Sequence, residues 1–407
     1  MAYLPLIKHL SQKGLIYQQI ESVIGPRVQI NDRWLLSFIS SNYLGMNQSG
    51  SVKRAFVDSI KKWGISLGTP RVLGIDRITV CLEAQIARLV GQDKALVFPS
   101  TSQLALDVIS FLTGSNGVLF LDEWSYPTSF EGAYAAQRRG VKCYRFKHNS
   151  VRAVAKALQA NASVPNKVIV CDGVYVSGGQ KAPLTAFIRL ARKYDAAIYV
   201  DDAHGIGILG DVPIFKTMPY GFGGTGTPGY YGLRSCQRVI HVGTLSKAFG
   251  IPIAFVAGHS NLIDKLKYHA DSYTHSSSPS IPEIAGAMAS LRMNDLHGDY
   301  RRNLLFQRVR QFVYGLKRIG VKLTANDFFP IQTILFRTKS VAVEVAGHLR
   351  RMGLWILLQL GPPDIPQGGA IRFVITALHK RKDIKSAVDA IKKTQQRFSR
   401  HLISDAF

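Results

Sequence analysis

Three side chains that could do chemistry together follow two apolar runs in the middle of the chain. Asp201 and His204 lie at the end of AAIYVDDAH, and Lys247 follows RVIHVG in the segment GTLSKAFG. A lysine can bond to the aldehyde of pyridoxal phosphate (PLP) as a Schiff base, and a carboxylate can pair with its pyridinium nitrogen. A histidine can contact the ring hydroxyl. We therefore predict a PLP site in which Lys247, Asp201 and His204 bind the cofactor and are catalytic.

Hydroxyl groups near predicted strand ends are candidates for binding the cofactor's phosphate. The segment FPSTSQ leads from a predicted strand into a predicted helix, and helix N-termini with hydroxyl side chains bind phosphate. We predict that Thr101, Ser102 and Thr244 are phosphate ligands. Ser276 and Ser277 lie in a second hydroxyl run, YTHSSSP, which is either a turn or a further phosphate-binding segment.

Two further residues are candidates for contacts with the cofactor ring and the substrate. Tyr126 follows the apolar run GVLFLD and is predicted to be a catalytic and cofactor-binding residue, because its ring could lie on the face of the cofactor. Arg372 is a single arginine inside the apolar run GGAIRFVIT. A buried guanidinium needs an anion, so Arg372 either binds a substrate carboxylate or forms a structural salt bridge.

The elements that must position these residues are short β-rich runs separated by helical patterns. Continuous apolar strands that alternate with helices indicate a sheet covered on both faces. Ligands of such sheets bind at the carboxyl ends of the strands, where Asp201, His204 and Lys247 fall. We predict an α/β fold with a large, mostly parallel sheet of seven strands, at 95–98, 117–122, 142–146, 167–172, 196–202, 238–243 and 253–258.

Changes of pattern along the chain indicate three regions. We predict an N-terminal segment over 1–49, a large PLP-binding domain over 50–290 and a small C-terminal α+β domain over 291–407. The glycine-rich segment 211–233 has no predicted helix directly after its glycines. It is therefore expected to be a flexible lid or a plain loop rather than a phosphate-binding loop.

Charge and composition restrict the class of protein. The net charge is +25, and its densest cluster lies between His379 and Arg400. This cluster is either a solvated helix face or a surface that attracts an acidic partner, coenzyme A or an acidic acyl carrier protein. The sequence shows no aromatic RNA-binding motif and no zinc-finger spacing, so nucleic-acid binding is not favoured.

No apolar run reaches the roughly 20 residues of a membrane span, and the N-terminus does not resemble a secretory signal. The four cysteines are scattered without a CxxC pair, which predicts no metal site and fits a reducing compartment. We therefore expect a cytoplasmic protein.

Several motifs together resemble one family. The residues that carry the resemblance are SNYLG from Ser41, GTPRVLGIDRITVCLE from Gly68, DEWSYPTSFEG from Asp122, His148-Asn149, DGVY from Asp172, VDDAHGIGILG and GTLSKAFG. From about residue 35 to 390 the chain resembles the PLP-dependent α-oxoamine synthases. Their fold is PLP fold type I, similar to that of aspartate aminotransferase.

The resemblance implies a reaction and an assembly. Such enzymes condense an amino acid with an acyl thioester and release carbon dioxide, which forms an α-amino ketone. Arg372, with Asn42, would hold the carboxylate of the amino acid, and Lys247 would remove its α-proton. The family is homodimeric, so Ser276 of the partner subunit and its two following serines would reach the phosphate.

Departures from the family pattern predict a divergent member. Tyr126 replaces the family's stacking histidine, Val176 replaces a serine, Ile253-Ala254 replaces a glycine pair, and Ala370 replaces one of two arginines. We expect a signalling ketone or a specialised metabolite as the product, rather than a biotin or haem precursor. The alternatives are a PLP-dependent aminotransferase, an aldolase-type enzyme on the same fold, or a non-catalytic binding protein.

Overall fold

The computed structural model describes residues 4–325, 327–361 and 366–398. Its strands are β1 (Ser22–Ile24), β2 (Arg27–Ile30), β3 (Arg33–Ser37), β4 (Lys94–Phe98), β5 (Val118–Asp122), β6 (Lys142–Phe146), β7 (Lys167–Asp172), β8 (Ala196–Asp201), β9 (Val239–Thr244), β10 (Ala254–Gly258), β11 (Ile331–Phe336), β12 (Leu354–Trp355), β13 (Leu357–Leu360) and β14 (Gly369–Val374).

The helices alternate with these strands through most of the chain. They are α1 (Leu4–Gln12), α2 (Gly50–Trp63), α3 (Arg77–Val90), α4 (Thr101–Thr113), α5 (Pro127–Arg138), α6 (Val151–Ala160), α7 (Leu184–Tyr194), α8 (Thr227–Tyr230), α9 (Ser260–His269), α10 (Asp271–Thr274), α11 (Ile281–Arg318), α12 (Lys339–Arg351) and α13 (Arg381–Phe398). None of the described helices combines the length and the apolar character that crossing a bilayer requires.

The larger of two compact units comprises residues 46–175 and 181–300 and contains a seven-stranded sheet. The strand order is β4-β10-β9-β8-β7-β5-β6, and β10 runs antiparallel to both of its neighbours. The other pairings are parallel. The predicted mostly parallel sheet of seven strands is therefore confirmed.

Apolar side chains on both faces of the strands explain why this sheet is central. Successive residues of β5, β7 and β8 point to opposite faces, as the period of a strand requires. Leu119, Val168 and Tyr199 pack with α4 and α5 in one core. Phe120 and Ile169 pack with α6 and α7 in a second core on the other face. Only continuous apolar runs can supply both cores at once.

The smaller unit comprises the described residues up to Gly45, residues 176–180 and those from Arg301 onward. It contains a three-stranded antiparallel sheet of order β11-β14-β13 and a four-stranded sheet of order β1-β2-β3-β12. It is the small α+β domain of the predicted fold.

The grouping of the N-terminal residues differs from the predicted division into three regions. β3 pairs in parallel with β12, and the Leu36 N–H donates to the carbonyl of Gly353 at 2.8 Å. Residues of the predicted 1–49 segment thus share a sheet with the C-terminal part of the chain. The pairing joins residues more than 300 positions apart, which periodicity along one segment cannot reveal.

Candidate active site

Strand register brings the predicted catalytic residues to one edge of the large sheet. Asp201 ends β8 and lies in register with Val242 of β9 and with Asp172 of β7. β9 ends at Thr244, three residues before Lys247. Neighbouring strands lie about 4.8 Å apart, so these residues share one carboxyl edge. The amine of Lys247 interacts electrostatically with both carboxyl groups.

Asp201 is buried, with 5% of its surface exposed. Its Oδ1 accepts the backbone N–H of Ala203 at 3.0 Å. Burial raises the pKa of Asp201, and the opposing charge of Lys247 lowers it. A buried carboxylate in this position is stabilised by a cation, which a pyridinium N–H would provide.

Lys247 is half-buried on the loop after β9. Burial lowers the pKa of its amine, because desolvation disfavours the charged form, while Asp201 and Asp172 oppose this effect. A larger fraction of the amine is therefore neutral than for an exposed lysine. A neutral amine is the form that acts as a nucleophile and as a base.

Asp172 is a site residue that the sequence interpretation did not select. Its Oδ1 accepts the backbone N–H of Tyr126 at 3.2 Å, at the start of α5. Burial and the neighbouring charge of Asp201 raise the pKa of Asp172 well above its usual range. The signal was present, since Asp172 ends the run KVIVCD just as Asp201 ends AAIYVD. Tyr126 itself is 45% exposed.

Asp202 organises a buried network directly behind Asp201. It is fully buried, and it accepts the Thr227 N–H at 2.8 Å and the Thr227 hydroxyl at 2.5 Å. His241 Nε2 lies 3.0 Å from its Oδ2. A Cβ added at Gly226 would lie 2.2 Å from the same oxygen, so glycine is required there.

The same network corrects the expectation for the glycine-rich segment. Residues 224–229 are buried, and α8 begins at Thr227, directly after Gly226. This part is neither a lid nor a plain loop. It supports Asp202. His204 follows Asp202 by two residues and is also buried, with 8% exposed.

The predicted phosphate ligands lie at the same carboxyl edge. Phe98 of β4 pairs with Ala254 of β10, which pairs with Thr244 of β9. The N-terminus of α4 begins at Thr101, three residues after Phe98, with Thr101 half-buried and Ser102 exposed. First-turn N–H groups of a helix bind phosphate, as this arrangement requires.

Thr244 is engaged within its own loop. Its hydroxyl oxygen lies 3.0 Å from both the Ile253 carbonyl and the Ser246 hydroxyl, and it accepts the Ser246 N–H at 3.1 Å. Ser246 is exposed. Ser246 is therefore an additional hydroxyl at this edge that the sequence interpretation passed over.

The donor set fits PLP. Asp201 would hold the ring nitrogen, Lys247 the aldehyde carbon and the N-terminus of α4 the phosphate. When bound, PLP supplies an electron sink that stabilises a carbanion at the α-carbon of an amino acid.

Ser276 and Ser277 lie elsewhere in the large unit. They line a cleft of about 540 Å³ together with Gly68, Thr69 and Arg71. The lining of this cleft contains neither Lys247 nor Asp201. Within one protomer, these serines are therefore in a different cleft from the predicted catalytic residues.

A buried charged cluster supports the wall of this cleft. The Arg71 guanidinium lies 4.2 Å from the centre of the Tyr273 ring, and its Nη1 donates to the Val97 carbonyl at 2.7 Å. Glu83 accepts the Val97 N–H at 3.1 Å. Burial raises the pKa of Glu83 from 4.5 to about 7, although the Val97 N–H, Arg71, Lys267 and the Tyr273 hydroxyl all oppose it.

This pKa predicts a pH-dependent effect of Glu83→Gln. Between pH 4.5 and 7 the folded protein binds more protons at Glu83 than the unfolded chain, so its free energy of unfolding falls as pH rises. Glutamine cannot ionise. We expect the variant to gain about 2–3 kcal/mol relative to the parent between pH 4.5 and 7.5. Urea unfolding at both pH values measures this, and a difference independent of pH would contradict it.

The predicted substrate-binding residues lie in the smaller unit. Arg372 is 6% exposed in the middle of β14, between Thr333 of β11 and Leu357 of β13. Its Nη2 donates to Gln359 Oε1. Asn42 is 8% exposed. The charge of Arg372 lowers the pKa of the adjacent Tyr43, although burial raises it overall, so Arg372 lies near this segment.

Comparison with known proteins agrees with this geometry. The family of class I and II aminotransferases matches residues 35–391. The 8-amino-7-oxononanoate synthase of Chromobacterium violaceum is 34% identical over 375 residues, which cover 91% of this chain and 92% of that enzyme. The enzyme of the same name from Nitrosococcus oceani is 30% identical over 374 residues, 91% of this chain and 94% of the relative.

Solved structures show the same fold. A serine palmitoyltransferase from Sphingomonas wittichii superposes with a TM-score of 0.88 at 24% identity, over 98% of both chains. An 8-amino-7-oxononanoate synthase from Francisella tularensis superposes with a TM-score of 0.71 at 20% identity, over 90% of this chain and 99% of that one. At these identities the structures support the fold, while the relatives of higher identity support the family. The chain belongs to the α-oxoamine synthases, PLP-dependent acyltransferases with the fold of class I and II aminotransferases.

Proposed function

We propose that this enzyme joins the α-carbon of an amino acid to the carbonyl carbon of an acyl thioester. The new C–C bond replaces the C–S bond, the thiol leaves, and loss of the amino acid's carboxyl group as carbon dioxide yields an α-amino ketone. The observation that carries the proposal is Lys247, a half-buried amine beside the buried carboxyl groups of Asp201 and Asp172.

Different residues of this chain have different roles in the proposed reaction. Lys247 removes the α-proton of the amino acid, because its lowered pKa favours the neutral amine. Asp201 would hold the ring nitrogen of PLP by its negative charge, and His204 would contact the ring hydroxyl. Arg372, with Asn42, holds the substrate carboxylate, for which a planar guanidinium is well suited.

For the product we propose an α-amino ketone other than the one named in the relatives. Tyr126 and Val176 support this, since both replace the family's residues around the reaction centre. Ala370 supports it in addition. It lies two residues before Arg372 on β14, where the family has a second arginine.

A substrate matrix tests the proposal. Purified enzyme with PLP is incubated with glycine, alanine or serine and with acyl-CoA of several chain lengths, including pimeloyl-CoA. We expect equal amounts of free thiol, carbon dioxide and amino ketone from one combination that lacks the pimeloyl group. Production of keto acid without thiol would instead identify an aminotransferase, and cleavage of a β-hydroxy amino acid would identify an aldolase.

We also propose a homodimer in which the Ser276–Ser278 segment of one protomer contacts the cofactor of the other. Exposed apolar side chains lie on the segment that lines the cleft of these serines and on the helices α2 and α3 before and after it in the chain, and a second copy would cover them. They are Val57, Ile60, Trp63, Ile65, Leu67, Val72, Leu73 and Val80.

Leu73→Asp tests the dimer. Leu73 is 80% exposed, so the change should leave the fold of a protomer intact. We expect sedimentation to shift from dimer toward monomer and the affinity for PLP to fall about tenfold or more, because a buried unpaired charge opposes association. A parent protein that sediments as a monomer and still binds PLP tightly would refute this arrangement.

Tyr126 is proposed to stack on the cofactor ring in place of the family's histidine. Aromatic stacking contributes about 0.5–1.5 kcal/mol, so Tyr126→Ala should weaken PLP binding up to about tenfold. Tyr126→Phe keeps the ring and should stay within about twofold of the parent. Fluorescence titration of apoprotein with PLP measures both, and equal affinities for the Ala and Phe variants would exclude stacking.

We propose the cytoplasm as the compartment. The support is the set of four scattered cysteines, which suits a reducing environment.

A further inference from the structure

The positive charge of this chain is concentrated in its C-terminal quarter. Between residues 301 and 398 there are nineteen Lys and Arg residues and five Asp and Glu residues. This stretch therefore carries more than half of the net charge of +25. The predicted catalytic residues of the large unit lie outside it, so the charge needs a separate explanation.

In the smaller unit, α13 and the part of α11 from Arg301 onward bring much of this charge together. The Gln311 side chain of α11 donates to the Arg381 carbonyl at the start of α13, at 3.0 Å. A Cβ added at Gly315 of α11 would lie 2.7 Å from Val388 of α13. The contact nearer the start of α11 is also the one nearer the start of α13. The two helices therefore pack side by side and run in the same direction.

Cations occupy the solvent side of this helix pair. We define the basic helix pair as the exposed residues Arg310, Lys317 and Arg318 of α11 and Arg381, Lys382, Lys385, Lys392 and Lys393 of α13. On α13 and on α11 from Arg301 onward, as far as these are described, Asp389 is the one exposed acid, and it lies 3.9 Å from Lys385. Asp295, nearer the start of α11, is also exposed. The other seven cations form no ion pair within the described ranges.

The surface is rigid and polar. The opposite side of α13 is buried through Ile384, Ala387 and Ile391, so the cations lie on a packed helix. From Arg381 to Lys392 they span about 16 Å, at 1.5 Å per residue. In the described chain after Arg301, Tyr314 is the one large hydrophobic side chain that is exposed.

We propose that the basic helix pair is the docking surface for an acidic protein that carries the acyl thioester. The inference rests on the proposed function, because a condensing enzyme needs a thioester donor. A charged helix face about 16 Å long matches the acidic face of a folded protein better than the few phosphates of a small thiol. Stable insertion into a membrane would need more exposed apolar side chains than Tyr314.

Charge reversal tests the proposal. The triple variant Lys385→Glu, Lys392→Glu and Lys393→Glu is compared with a control triple, Arg152→Glu, Lys156→Glu and Lys193→Glu, on exposed positions of α6 and α7. Each is assayed with one acyl group attached either to an acidic acyl carrier protein or to coenzyme A. Binding of fluorescently labelled carrier protein is measured separately by anisotropy, so this readout does not depend on turnover.

We expect the α13 triple to lower kcat/KM for the carrier-bound substrate about 10–100-fold at low salt through KM, and to weaken carrier binding equally. Both triples should leave kcat/KM for acyl-CoA within about twofold of the parent. Turnover of acyl-CoA with no binding of the carrier would overturn the docking proposal while the proposed function stands. Equal losses with both donors would overturn it too.

Two other classes of partner are outcomes of the same test. Vesicles containing phosphatidylglycerol and a short RNA duplex are titrated into the parent and the triple variants. If the α13 triple lost binding to either of these and kept full affinity for the carrier protein, the surface would serve that partner and the proposal would be wrong.

Discussion

Lys247→Ala should lower kcat by about 10³-fold or more, because one side chain acts both as the covalent attachment of the cofactor and as the base for the α-proton. The amine is half-buried beside Asp201 and Asp172, so no water or exposed lysine replaces it in the same environment. Turnover of the best substrate pair measures the loss. Borohydride treatment of the holoprotein, followed by peptide mass spectrometry, should place a pyridoxyl group on Lys247 in the parent.

Lys193→Ala is the matched control, since Lys193 is an exposed lysine on α7. We expect it to retain the activity of the parent and the label on Lys247. A Lys247→Ala protein that keeps more than about a tenth of the parent rate would contradict the assigned role.

Asp202→Ala should lower the free energy of unfolding by about 3–5 kcal/mol, the cost of breaking a buried charged network by removing one partner. Asp202 is fully buried and accepts two hydrogen bonds from Thr227, and His241 lies 3.0 Å away. Alanine leaves these groups buried without their acceptor. Equilibrium unfolding in urea measures the loss, and Asp202→Asn, which keeps one acceptor oxygen, should cost less.

The control for this prediction is Asp264→Ala. Asp264 pairs with Lys94 at 2.6 Å, but both side chains are about half exposed, at 52% and 49%. Exposed pairs contribute about 0–1 kcal/mol, so this variant should unfold near the parent. Similar losses for Asp202→Ala and Asp264→Ala would mean that the Asp202 network contributes little.

Asp172 illustrates what the sequence interpretation could and could not find at the site. Its position at the end of an apolar strand is visible in the sequence, as it is for Asp201. Its bond to the Tyr126 N–H depends on β5 and β7 being neighbours, although β6 lies between them in the chain. A pattern within one segment predicts where a strand ends, but strand order is decided by packing among all of them.

The roles of Arg372 and Asn42, and the reach of the Ser276–Ser278 segment, stay predictions. Asn42 and Arg372 lie in the smaller unit, and the three serines lie in the larger one. Arg372 lies in the middle of a buried strand, as its apolar surroundings indicated, and the serines line their own cleft.

The sequence by itself determined the class of fold and the reacting groups. Apolar runs specify strands covered on both faces, and the functional residues stand at the ends of those runs. The tertiary structure alone decided the antiparallel insertion of β10, the pairing of β3 with β12, the support of Asp202 by the glycine-rich segment and the joining of α11 and α13 into one charged face. Each of these depends on contacts between residues far apart in the chain, and the periodicity of a single segment carries no record of its distant partners.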